Sequence, residues 1–144
     1  VGVDGVIIPD LPLEEQGDVR PYADQCGVDL VQLVAPTSEE RVRRIAGASS
    51  GFIYVVSSMG VTGMRDGIKG DLKSTLDQIR QVTKVPAAVG FGIHTEEQAA
   101  LFASEADGVI TGSAVVDLIA RHGRAAEKAL SDYIGRMKAA VSRG

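Results

Sequence analysis

Two glycine-bearing turns carry the chemistry that can be read from these residues. Gly90-Phe91-Gly92 ends the apolar run Val85-Pro86-Ala87-Ala88-Val89, and Gly112-Ser113 ends Gly108-Val109-Ile110-Thr111 about twenty residues later. Turns without side chains let bare N–H groups approach an anion, and a helix that starts there adds favourable partial charge. The chemistry indicated is phosphate binding by backbone amides. Taken singly, a glycine closing a buried strand needs only a tight turn, and one Gly-x-Gly is a weak signal. Two such turns at consecutive strand ends, the second feeding the short apolar stretch 114–120, favour the phosphate reading.

These turns need strands and helices to hold them. Thr95-Glu96-Glu97-Gln98 is a capping box that opens a helix directly after the first turn. Upstream, Gly5-Val6-Ile7-Ile8, Asp29 to Val34 and Phe52 to Ser57 read as buried parallel strands. Between them, a helix over roughly Gly17 to Gln25 has Pro21 near its first turn and Gly27 past its end. Thr37-Ser38-Glu39-Glu40 reads as a second capping box, for a helix running to about Ala48. Residues 58–70 hold four glycines and only isolated apolar side chains, which predicts a mobile loop closing over a site. An amphipathic helix is predicted from Asp71 to Lys84, with Leu72, Leu76, Ile79 and Val82 on one side. A last helix, Ala125 to Val141, carries Leu130, Ile134 and Met137. About five strands and five main helices in strict alternation imply a parallel sheet with right-handed crossovers. The paired glycine turns, with a short extra helix after the second, match the phosphate cup of a (β/α)₈ barrel.

Composition agrees with an α/β domain. Hydrophobic residues make up 44% and aromatics 4%, with 17 glycines, which suits tight strand-to-helix turns better than a sandwich. A net charge of −4 and no basic run with interleaved aromatics argue against nucleic-acid binding. No run approaches transmembrane length, and no metal site is expected. Lone Cys26 excludes an intrachain disulfide and fits a reducing compartment, so a cytoplasmic chain is expected. Val1-Gly2-Val3 leads into a strand with no Met and no secretory signal, as though cut from something longer.

Several short motifs, in order, resemble the C-terminal part of the tryptophan synthase alpha subunit family. They are Gly2-Val3-Asp4-Gly5, Asp10-Leu11-Pro12-Leu13-Glu14-Glu15, Ala35-Pro36-Thr37 and Gly51-Phe52-Ile53-Tyr54. Gly60-Val61-Thr62-Gly63, Gly90-Phe91-Gly92-Ile93 and Gly112-Ser113-Ala114-Val115-Val116 follow. The resemblance implies a single partial domain over 1–144, a parallel half-barrel equivalent to the fourth to eighth strands of a (β/α)₈ barrel of about 250 residues. It implies a lyase of tryptophan biosynthesis that cleaves indole-3-glycerol phosphate to indole and glyceraldehyde 3-phosphate. The indole passes to a beta subunit, which holds the PLP, so no cofactor is expected in this chain. Gly63, Gly92, Gly112 and Ser113 are implied to hold the substrate phosphate. Tyr54 and Ile110, with Phe91 beside them, are implied to line the pocket, and Thr62 to orient a catalytic carboxylate as the loop closes. The family's acid and base, a Glu and an Asp, have no match here. Many members carry Arg shortly before Gly-Val-Thr-Gly, where this chain has Ser58-Met59.

From the residues alone, Tyr54 also fits a strand aromatic with a solvated hydroxyl, Thr62 a turn residue, and Ser113 a plain helix cap. His94 reads as a surface turn residue, and Asp10 as a turn cap. Another phosphate-binding barrel, or a non-catalytic half-barrel serving as an assembly module, stays open on the same residues. Five parallel strands cannot close a barrel, so the chain is expected to self-associate or to need an N-terminal half from elsewhere.

Overall fold

The computed structural model describes residues 2–36, 38–57, 66–90 and 92–142. Five strands are found among them: β1 (Gly5–Ile7), β2 (Asp29–Val34), β3 (Ile53–Val56), β4 (Ala87–Gly90) and β5 (Gly108–Val109). They form one sheet in sequence order with every pairing parallel. Sequential order with right-handed crossovers stacks all the helices on one face, the arrangement from which a barrel is built. The helices are α1 (Arg20–Cys26), α2 (Glu39–Gly47), α3 (Asp66–Val82), α4 (Glu96–Ala103), α5 (Ser113–His122) and α6 (Ala126–Val141). Short 3₁₀ turns at Leu13–Asp18 and Gly123–Ala125 precede α1 and α6.

The strand alternation separates the two sheet faces. Val34, Val55 and Val89 are in register across β2, β3 and β4, fully buried, and part of one core with the helices. Val42 and Ala46 of α2, Leu72, Leu76 and Ile79 of α3, and Ala99 and Phe102 of α4 close that core. The opposite row, Leu33, Tyr54 and Ala88, is only half-buried. At the β1 end of the sheet, Val3, Ile7 and Ile8 are 52%, 42% and 39% exposed. Burying such side chains is worth roughly 1.5–3 kcal/mol each, so this edge and face are unfilled as they stand.

Most element boundaries agree with the periodicity. The Asp29–Val34 strand and the Gly27 stop at φ 64° stand as read. α3 begins at Asp66, five residues before the predicted start, and takes in Gly67 and Gly70, which read as loop punctuation. A helical glycine costs only about 1 kcal/mol, and burying Leu72, Leu76 and Ile79 offsets that. The cap of α2 is Ser38, with no side-chain cap bond; the second capping box is read on Thr37, which lies outside the described residues. In α6, Met137 is buried and Leu130 half-buried as expected, but Ile134 is 46% exposed and Tyr133 takes the core position.

Candidate functional site

Register across β4 and β5 brings the two glycine turns together. Ala88 pairs with Gly108 and Val89 with Val109. The Ile110 amide donates to the Val89 carbonyl at 2.8 Å. At the start of the pair, the Asp107 side chain accepts from the Ala87 amide at 2.9 Å. Both strands then end at the same side of the sheet, and their turns lie side by side.

The first turn is held by local hydrogen bonds. Gly92 sits at φ 79°, a left-handed conformation that glycine adopts without strain. The capping box forms as read: the Gln98 amide donates to Thr95 Oγ1 at 3.3 Å, and the Thr95 amide to Gln98 Oε1 at 3.1 Å. Gln98 Oε1 also accepts from the His94 amide at 2.9 Å. His94 is exposed, as expected of a turn residue, with Nδ1 2.8 Å from the Gly92 carbonyl oxygen. Glu96 in the first turn of α4 pairs with Arg136 of α6 at 2.6 Å. The Arg136 hydrogen bond and a backbone hydrogen bond hold the Glu96 carboxyl below the ordinary glutamate range.

The second turn opens α5 directly, with Gly112 as its cap and Ser113 as its first residue. Gly112 has φ −123°, open to any L residue, and a Cβ built there meets no atom within 4 Å. Among the described residues, none crowds a side chain at this position.

Tyr54, Gly92, Ile93, His94, Ile110, Gly112 and Ser113 line one cleft of about 160 Å³. Five of the eight site residues expected from the sequence are in that lining: Tyr54, Gly92, Ile110, Gly112 and Ser113. The other three, Thr62, Gly63 and Phe91, lie outside the described residues. Ile93 and His94 were not singled out as lining; each follows directly on the Gly92 turn that brings it to the cleft. Tyr54 reaches the site across β4, because Gly90 has no side chain. A Cβ at Gly90 would meet the Tyr54 hydroxyl oxygen and lie 2.5 Å from its Cζ. The cleft thus has exposed glycine turns at one end and an aromatic and an aliphatic side chain beside them. That combination suits a small ligand with an anionic end and an apolar body.

A larger cleft of about 280 Å³ lies where β1 and β2 end, lined by Asp10, Leu11, Pro12, Arg41 and Ile45 among others. Its cation is already committed, since Arg41 Nη1 donates to Glu14 Oε1 at 3.0 Å. Size does not make it the anion site.

Comparison with known proteins agrees with this geometry. The family model described as tryptophan synthase alpha chain matches residues 1–142. The tryptophan synthase alpha chain of Lacticaseibacillus casei is 48% identical over 141 residues, 98% of this chain and 53% of that protein. That of Lactiplantibacillus plantarum is 51% identical over 142 residues, again 98% and 53%. Among solved structures, the alpha subunit from Legionella pneumophila str. Paris superposes with a TM-score of 0.81 at 33% identity, covering 99% of this chain and 53% of the other. A structure from Pyrococcus furiosus, described as the tryptophan synthase a2b2 complex, gives 0.80 at 34% identity, covering 96% and 56%. The chain spans about half the length of the curated relatives it matches. By its motifs, its sheet and these matches, this chain belongs to the tryptophan synthase alpha chain family.

Proposed function

We propose that this chain supplies the phosphate-holding half of the site at which indole-3-glycerol phosphate is cleaved to indole and glyceraldehyde 3-phosphate. The observation that carries the reading is the cleft that joins Gly92, Gly112 and Ser113 to Tyr54 and Ile110. The amides at the start of α5 and at the Gly92 turn hold the phosphate, with the α5 N-terminus adding favourable partial charge. Tyr54 and Ile110 hold the apolar body. Family likeness adds Gly63 to the phosphate cup, Phe91 to the pocket, and Thr62 as the residue orienting a catalytic carboxylate.

Retro-aldol cleavage needs a proton delivered to the indole ring and another removed from the glycerol hydroxyl. Among the described residues lining the cleft, none is a carboxylate. General acid–base steps contribute roughly 10²–10⁴-fold each, so binding alone leaves little rate. The acid and base belong to the part of the family barrel that this chain does not span. This reading assigns the chain no cofactor, places PLP in a beta-subunit partner, and sets the work in the cytoplasm without nucleic acid or membrane. Among the described residues no helix is long and apolar enough to cross a membrane.

The test is a calorimetric titration with glycerol 3-phosphate together with an indole assay. Saturable binding competed by inorganic phosphate is expected, with no indole released by the chain alone; turnover comparable to an intact alpha chain would refute the assignment of roles. The cleft without carboxylates equally favours a non-catalytic phosphate-binding module. Adding the N-terminal half of an alpha chain separates the two, because turnover appears only if the site is half of an enzyme.

The same reading predicts how the isolated chain behaves. β1 and β5 end the sheet, and Val3, Ile7 and Ile8 lie exposed beside the half-buried row of Leu33, Tyr54 and Ala88. Open parallel edges and unfilled apolar faces drive association. Sedimentation at low micromolar concentration is expected to show oligomers that convert to a defined complex when the N-terminal half is added. A compact, cooperatively folding monomer that binds no hydrophobic dye would overturn this.

A further inference from the structure

We propose that Tyr133 is a positioning residue for the anion cleft, its hydroxyl setting the spacing between the turn that carries Gly92 and the turn that carries Gly112. This rests on the reading of that cleft given above. The two turns belong to different strand–helix units. β5 is two residues long, and its ladder with β4 ends at the Ile110 amide. The chain then runs on through Thr111 to Gly112, and side chains must hold the turns in relation to each other.

Tyr133 does this from α6. Its ring is buried in the core at 6% exposure, and its hydroxyl emerges between the turns. Tyr133 Oη donates to the His94 carbonyl at 3.3 Å and lies 2.8 Å from Thr111 Oγ1. With the phenol proton used on His94, Thr111 is the donor of the second bond. One bond therefore lands two residues after Gly92, and the other begins one residue before Gly112. Arg136, one helical turn further along α6, fastens the same β4–α4 segment through Glu96. The hydroxyl thus ties the segment just after Gly92 to the residue just before Gly112.

The test uses the natural polypeptide that carries this chain, titrated with glycerol 3-phosphate and, separately, with indole as a probe lacking phosphate. Tyr133→Phe keeps the ring and removes both bonds. It is expected to weaken glycerol 3-phosphate about three- to tenfold and to leave indole binding unchanged. Thr111→Val, which leaves the ring in place, should give a similar loss, and the double variant should lose no more than either single one. Equal losses for both probes would mean a general packing role and overturn the proposal, as would a Tyr133→Phe protein that binds glycerol 3-phosphate like the parent. A parent that does not bind glycerol 3-phosphate overturns the cleft reading itself, and this proposal with it. If Tyr133→Phe does not fold, Thr111→Val decides alone by the same two titrations.

Discussion

Gly112→Asp is expected to abolish phosphate binding while leaving the protein as stable as before or slightly more so. The position is a helix cap with φ −123°, and a Cβ there meets no atom of the described residues within 4 Å. Aspartate is a better cap than glycine by a few tenths of a kcal/mol, and a negative charge is favourable at a helix N-terminus. The same carboxylate would occupy the place proposed for the substrate phosphate. Two like charges about 4 Å apart at an effective dielectric of 20 repel by about 4 kcal/mol, so affinity should fall on the order of 10²–10³-fold. Opposite signs for binding and stability are the signature, and ordinary misfolding cannot produce them. Gly112→Asn, a cap of similar quality without the charge, should lose markedly less. Titration with glycerol 3-phosphate and urea denaturation of the three proteins measure both quantities. A Gly112→Asp protein that binds like the parent would show that the phosphate does not sit at this turn.

Gly90→Val should damage the site through Tyr54. At Gly90 a Cβ would lie 2.5 Å from Tyr54 Cζ and 2.6 Å from Cε1, distances that real side chains do not adopt. Gly90 is buried in β4, whereas Tyr54 is half-buried, so the ring is the part that moves. It moves within the cleft it lines. Overpacking of this kind costs about 1–3 kcal/mol of stability, and the displaced ring should cut affinity for indole, the probe of the apolar end. Truncating the ring removes the obstacle. Tyr54→Ala combined with Gly90→Val is therefore expected to be more stable than the two single effects predict by addition, because the clash exists only when both side chains are present. Denaturation midpoints for the four proteins of the cycle check this. Strict additivity would mean that the Tyr54 ring does not lie across Gly90.

Much of this was legible along the chain because the causes are local. The Thr95–Gln98 box joins residues three apart, and the structure holds both of its bonds. Gly27 ends α1 at the position its lack of a side chain suits. The strand from Asp29 to Val34 is a mostly apolar run with Leu30, Val31 and Val34 buried, and Gln32 is a polar side chain buried among them. Its side chain faces the helices and is satisfied by Gln16 at 2.7 Å and by the Leu30 carbonyl at 2.9 Å. That partnership, sixteen residues apart, has no local signal. Local reasoning also started α3 too late, since Gly70 resembles punctuation until the packing of Leu72 and Leu76 is counted.

What the sequence by itself determined was the set of parts: alternating strands and helices, two glycine turns at consecutive strand ends, and motifs that mark the tryptophan synthase alpha chain family. Periodicity, capping and turn chemistry act over a few residues, so the linear order reveals them. Only the tertiary structure decided how those parts meet. Parallel pairing of β3, β4 and β5 set Tyr54, Gly92, Ile110 and Gly112 around one cleft. It also turned α6 so that Tyr133, not Ile134, entered the core and reached Thr111 and His94, 22 and 39 residues away. A helical pattern offers several neighbouring residues to the core, and the one taken depends on the shape of a surface built by distant strands.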